Sequence, residues 1–142
     1  MSDDLKQLEQ PAPRVSPAGL NGWNSIWLLD DDASMLRALG RLLTSAGFSV
    51  EKFNHPAAFL ARLDGAKCKV AVLDVRMPFM TGLEVQASLN QNSPETQIIF
   101  ISGLYDPSVR QTALDAGAFA FLVKPFEDEV LLKLIHEALE AR

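Results

Sequence analysis

The stretch WLLDDDASML, residues 27–36, passes from apolar residues into three consecutive aspartates and then returns to apolar residues. Like charges a few ångströms apart repel by about 1 kcal/mol in water, and by more where solvent is scarce. Acids at the end of an apolar run either form a solvated loop that caps the next helix or provide half of a cation site. Residues elsewhere in the chain are needed to choose between a solvated loop and a cation site.

Outward from this stretch, short apolar runs alternate with segments of helical period. Five runs are predicted strands: Ile26–Leu29, Phe48–Phe53, Val70–Leu73, Ile98–Ile101 and Phe119–Val123. Most are nearly continuous in apolar residues, which is typical of strands buried on both faces. Five strand–helix units in this order predict an α/β fold, a doubly wound five-stranded parallel sheet with helices on both faces.

Local signals mark where the intervening helices begin and end. Gly47 and Gly117 stand where the first and fourth helices should end, and Thr81 with Glu84 predicts a capping box at the start of the third. The fifth helix is predicted after Pro125, and its buried side is predicted to carry Val130, Leu131, Leu134, Ala138 and Leu139.

Composition limits the class of protein. The chain has 142 residues, a net charge of −5 and one cysteine. The acidic balance argues against direct binding of nucleic acid or of an anionic membrane, and the single cysteine excludes a disulfide framework. No apolar run approaches the roughly 18 residues of a membrane span. We therefore expect a cytoplasmic protein with no membrane partner.

The chain divides into two parts by composition. Residues 1–24 are polar and rich in proline and glycine, and we predict a flexible N-terminal tail there. Residues 25–142 carry the strand–helix rhythm and are predicted to form one domain.

Polar residues follow four of the predicted strands, where ligands bind in sheets of this kind. Three aspartates follow the first strand, Asp74 the third, Ser102 the fourth and Lys124 the fifth. Carboxylate oxygens suit a hard cation such as Mg²⁺, whereas a hydroxyl and an ammonium suit an anion such as a phosphoryl group. Together these residues predict phosphoryl chemistry with an aspartate as a covalent acceptor.

Four segments, LLDDD, VLDVRMPFMTGLE, IIFISG and FLVKPF, resemble in order and spacing the receiver domain of bacterial response regulators. The resemblance spans residues 25–141 and is greatest to receivers of LuxR-type (NarL/FixJ-like) regulators. It implies the flavodoxin-like (βα)5 fold and a phosphoacceptor domain of a two-component system. Such a domain takes a phosphoryl group from a histidine kinase; it is not an enzyme beyond its self-catalysed phosphotransfer and dephosphorylation.

The resemblance also implies a role for individual residues. Asp74 would be the phosphoacceptor, and Phe121 the switch aromatic. Mg²⁺, or Mn²⁺ in its place, would be held by Asp30, Asp31, Asp74 and the backbone carbonyl of Arg76. Ser102 and Lys124 would bind the phosphoryl group, and the Lys124–Pro125 peptide bond would be cis. In this assignment Asp32 is left either to cap the next helix or to be a solvated neighbour of the acidic pair.

Three questions of function stay open at the level of sequence. The domain could be a stand-alone phosphorelay or docking receiver, or the receiver part of a LuxR-type DNA-binding transcription regulator. It could also dimerise on phosphorylation through its fourth helix, fifth strand and fifth helix. Finally, Asp30-x-Asp32 imitates the nucleophile motif of haloacid-dehalogenase-like phosphatases, although that alternative leaves Asp74 without a role.

Overall fold

The computed structural model describes residues 25–141, in which five strands and five helices alternate. In chain order they are β1 (Ser25–Leu29), α1 (Ala33–Ser45), β2 (Ser49–Phe53), α2 (Pro56–Leu63), β3 (Val70–Asp74), α3 (Gly82–Asn92), β4 (Gln97–Ser102), α4 (Pro107–Asp115), β5 (Ala120–Val123) and α5 (Asp128–Glu140). The predicted tail, residues 1–24, lies outside the described residues.

All strand pairs are parallel, and the strands lie in the order β2-β1-β3-β4-β5. The predicted doubly wound fold is confirmed. Leu29 of β1 pairs with Leu73 of β3, so the residue after each of them, Asp30 and Asp74, reaches the same edge of the sheet. The sheet register therefore brings the first and third strand ends side by side.

Two apolar clusters pack on opposite faces of the sheet. Trp27, Leu29 and Phe59 belong to one cluster, and Ile26, Leu28 and Leu43 belong to the other. Successive residues of a strand point to opposite faces, so β1 supplies both clusters in alternation. This double burial is why the central strands are continuous apolar runs.

The two edge strands and the last helix differ from the predicted pattern. The residues of β2 and β5 are half-buried or exposed, because each of these strands has a neighbour on one side only. Val130 was predicted on the buried side of α5 but is 42% exposed. That prediction is wrong because α5 packs through Leu131, Ile135 and Ala138, a stripe of helical spacing that turns Val130 towards solvent.

The predicted helix signals fall where helices begin and end. The Asp32 carboxylate accepts hydrogen bonds from the backbone of Ser34 and Met35, and Thr81 and Glu84 form the reciprocal capping box. Gly47 and Gly117 follow α1 and α4 with φ of 97° and 100°, conformations that glycine adopts without strain. Within residues 25–141, no helix is long and apolar enough to cross a membrane.

Candidate functional site

Three carboxylates converge at the carboxyl edge of the sheet. Asp30 directly follows β1 and is 2% exposed, and Asp74 ends β3 and is 5% exposed, whereas Asp31 is open to solvent. One oxygen atom from each of the three lies within 4.8 Å of the other two. The pairing of β1 with β3 produces this closeness, so residues 43 or 44 positions apart in sequence share one site.

Asp30 makes two contacts that fix its carboxylate. Oδ1 accepts a hydrogen bond from the backbone N–H of Asp32 at 2.9 Å. Oδ2 lies 3.4 Å from Nζ of Lys124, which follows β5 at the far edge of the sheet. The lysine side chain therefore reaches back across the ends of β4 and β3, and it places one positive charge among three negative ones.

Burial and the neighbouring acids raise the pKa of Asp74 from 3.8 to about 7. Burial is the largest cause, followed by the charge of Asp30 and the hydrogen bond and charge of Asp31; the Lys124 ammonium acts in the opposite direction. Clustered oxygen ligands short of positive charge fit a hard divalent cation, and Mg²⁺ is bound in proteins by such carboxylates.

The hydroxyl of Ser102, at the end of β4, is turned towards its own loop. It donates to the backbone carbonyl of Leu104 at 2.8 Å and accepts from the Leu104 N–H at 3.2 Å. Ser102 is buried, while Leu104 is an exposed apolar residue. The hydroxyl therefore holds the loop after β4 in place.

The remaining predicted residues lie around this edge. Phe121 in β5 is half-buried, and its ring centroid lies 6.1 Å from that of Phe100, its register partner in β4. The Lys124–Pro125 peptide bond is cis. Arg76 lies two residues after Asp74 with its side chain exposed.

Asp32 does not join the site. Its carboxylate accepts the two backbone hydrogen bonds that begin α1, as expected for an N-cap. The dehalogenase-like alternative needs this residue at the reacting centre, so the geometry gives that alternative no support.

Gly82 has a role at the site that sequence reasoning missed. Its N–H donates to the carbonyl of Val75 at 2.8 Å, which draws the start of α3 onto the end of β3. A Cβ atom at Gly82 would overlap the carbonyl oxygen of Asp74 and crowd the Phe100 ring. The capping box placed this helix in the sequence, but the backbone contact depends on tertiary packing and has no local signal.

His55 and Phe79 form a ring contact for which the sequence holds no local signal. The two rings stack 5.1 Å apart on neighbouring loops.

Comparison with known proteins identifies one family. The family model described as "Response regulator receiver domain" matches residues 26–136. The response regulator protein TodT of Pseudomonas putida is 44% identical over 115 residues, which cover 81% of this chain and 51% of TodT. The transcriptional regulatory protein FixJ of Bradyrhizobium diazoefficiens is 39% identical over 80% of this chain and 56% of FixJ. The chain thus spans about half the length of these curated relatives.

A solved structure gives the same result. The beryllofluoride-activated NtrC4 receiver domain dimer, a solution structure, is similar with a TM-score of 0.79 and 28% identity. The similarity covers 82% of this chain and 97% of the NtrC4 chain, so it extends over the whole strand–helix alternation.

Proposed function

This chain belongs to the response-regulator receiver domain family of two-component systems, and on that premise we propose that Asp74 accepts a phosphoryl group from a histidine kinase in a Mg²⁺-dependent reaction. One observation carries the proposal: Asp74 is buried at the sheet edge, with oxygens of Asp30 and Asp31 within 4.8 Å. Asp30, Asp31, Asp74 and the backbone carbonyl of Arg76 would hold the ion.

In the transfer, an Asp74 carboxylate oxygen bonds to phosphorus while the bond from phosphorus to the kinase imidazole nitrogen breaks. The leaving imidazole keeps the bonding electron pair and takes up a proton from solvent. Both reactants are anionic, so the approach needs positive charge; when bound, Mg²⁺ would supply part of it by drawing charge from the phosphoryl oxygens. The Lys124 ammonium, already 3.4 Å from Asp30, supplies the rest from within the chain.

Ser102 links the modification to a change of shape. To donate to a phosphoryl oxygen, its hydroxyl must leave the Leu104 carbonyl that it now contacts at 2.8 Å. The loop after β4 then loses the side-chain bond that holds it, and Phe121 in the adjacent strand gains room to move inward. Because the new contact exists only in the phosphorylated protein, it can shift the balance between two conformations.

The surface of α4, β5 and α5 is the proposed output face. It contains half-buried β5 residues and the exposed Val130. The NtrC4 structure is that of a beryllofluoride-activated receiver domain dimer, and we propose that this face of the present chain forms a dimer in the activated state. Sedimentation with beryllofluoride and Mg²⁺ should then show a dimer, and an unchanged monomer would exclude it.

The output of the switch is suggested by the relative FixJ. It is named a transcriptional regulatory protein, and this chain covers 56% of its length. We infer that the output is a DNA-binding domain or partner controlled by this face, rather than DNA binding by the receiver itself, whose charge is net negative. A stand-alone relay receiver is the alternative. Sequencing the gene beyond the codon for Arg142 distinguishes the two.

Intact mass spectrometry tests the phosphoacceptor. The protein is incubated with acetyl phosphate and Mg²⁺, and we expect the mass to rise by one phosphoryl group. Asp74→Asn should gain none, and omission of Mg²⁺ with added chelator should abolish the gain in the parent protein. Equal labelling of Asp74→Asn would refute the assignment. Steady hydrolysis of a phosphomonoester would instead favour a phosphatase.

A further inference from the structure

Phe79, in the loop between β3 and α3, has an unfavourable backbone. It is the one non-glycine residue among residues 25–141 with a positive φ, at 74°. The N–H of Met80 donates to the carbonyl of Pro78 at 2.8 Å, which makes residues 78–80 a γ-turn of the rare, strained hand. The Phe79 side chain is 87% exposed, so burial does not offset the strain.

The ring of Phe79 nevertheless has a partner. It stacks on the imidazole of His55, with centroids 5.1 Å apart and planes 27° from parallel. His55 is itself fixed, because its Nδ1 accepts the N–H of Ala57 at 3.0 Å and caps α2. This hydrogen bond restrains the imidazole ring. The stack therefore joins the loop before α2 to the loop after β3.

The core does not hold Pro78 and Phe79, the first two residues of the turn. Val75 and Met77 are buried in the apolar core, and Thr81 is tied into the capping box of α3. Met80 packs against the core, whereas the Phe79 side chain is exposed. Between these anchors, the contact with His55 is the ring contact that restrains the tip of the loop.

We propose that the His55–Phe79 stack is a positioning pair that holds the β3–α3 loop in the geometry that binds Mg²⁺. The inference rests on the proposed function, in which the same loop supplies the carbonyl of Arg76 to the ion. If the loop holds the binding geometry for only a fraction of the time, the apparent affinity for Mg²⁺ is multiplied by that fraction. The interaction energy of an aromatic pair corresponds to about a two- to tenfold change in the Kd for Mg²⁺.

Calorimetric Mg²⁺ titration of a double-mutant cycle tests this. Phe79→Asn removes the ring and introduces a residue that tolerates positive φ, and His55→Asn removes the ring but keeps an acceptor for the cap of α2. Each single variant should raise the Kd for Mg²⁺ by about two- to tenfold. The double variant should bind Mg²⁺ no more weakly than the weaker-binding of the two single variants, because both changes delete the same contact.

A second readout separates positioning from general stability. The backbone amide resonances of Arg76 and Met77 should shift or broaden in both single variants before Mg²⁺ is added, while the urea midpoint does not fall below that of the parent. Single variants that bind Mg²⁺ within error of the parent would overturn the inference, as would effects that simply add in the double variant.

Asp31→Asn distinguishes the inference from the function beneath it. This variant should lose most Mg²⁺ affinity. If Asp31→Asn loses Mg²⁺ affinity while His55→Asn and Phe79→Asn bind Mg²⁺ like the parent, only the positioning role is refuted. If Asp31→Asn binds Mg²⁺ like the parent, the acidic cluster is not the metal site, and the proposed function fails together with the inference.

Discussion

Nζ of Lys124 lies 3.4 Å from Oδ2 of Asp30, although 94 residues separate the two in sequence. Asp30 is 2% exposed and the lysine side chain 22% exposed, so the pair lies at the rim of the site and is partly shielded from solvent. The ammonium thus forms its salt bridge with Asp30, and the neighbouring Asp74 keeps a pKa raised to about 7. The pKa of Asp74 therefore depends on the charge of Lys124 as well as on burial and the two neighbouring acids.

The stability of the metal-free protein should fall as pH rises from about 4 to about 7. Asp74 has an ordinary pKa of 3.8 and a folded-state pKa of about 7, so in this range the folded state binds more protons than the unfolded state. Asp74→Asn lacks this titration and should be more stable than the parent at pH 8, by a larger margin than at pH 5. Urea unfolding at pH 5 and pH 8 with chelator checks this, and an equal difference at both values would contradict it.

Lys124→Met should raise the pKa of Asp74 further, because the Lys124 ammonium is the group that lowers it. Carboxyl ¹³C resonances followed over pH, without divalent cations, measure the change. Lys124→Arg keeps the charge and serves as the matched control, with a smaller effect expected. A pKa that is unchanged or lower in Lys124→Met would show that the charge of Lys124 does not act on Asp74.

Gly82→Ala should destabilise the protein by about 1 to 3 kcal/mol, because the added methyl group overlaps the Asp74 carbonyl and must displace the start of α3. Gly65→Ala is the control, since a Cβ atom there meets nothing within 4 Å. Urea unfolding compares the two variants. Similar midpoints would mean that the close approach at Gly82 is not a constraint.

Ser102→Ala should loosen the loop after β4 in the unphosphorylated protein. Losing the bond to Leu104 should raise hydrogen exchange at the Leu104 amide by about tenfold, in line with the net energy of one hydrogen bond. Ser102→Thr retains the hydroxyl and should exchange like the parent. Equal exchange in all three proteins would remove Ser102 from the control of this loop.

The fold could be predicted because its signals are local. Alternating apolar runs gave the five strands, and the capping box at Thr81 and Glu84 and the glycines after α1 and α4 marked helix ends. The acids of the site also follow from strand ends, since parallel strands deliver their carboxyl ends to one edge. The family resemblance assigned roles to those acids, which composition and spacing alone left open.

Features that depend on the path of the chain in three dimensions could not be predicted in the same way. The exposure of Val130 depends on which stripe of α5 meets the sheet, and the bond from Ser102 to Leu104 depends on the path of one loop. The positive φ of Phe79 has no sequence signal, because phenylalanine rarely adopts that conformation. Each of these features depends on how the chain is arranged in three dimensions, for which the sequence carries no pattern.

The most direct test of the central claim is to locate the phosphoryl group on the chain. The protein is phosphorylated with acetyl phosphate and Mg²⁺ and then reduced with borohydride, which converts an aspartyl phosphate into homoserine. Peptide sequencing by tandem mass spectrometry should find homoserine at position 74 alone. Homoserine at position 30 or 31, or its absence from position 74 in a protein that has gained phosphoryl mass, would contradict the assignment of Asp74.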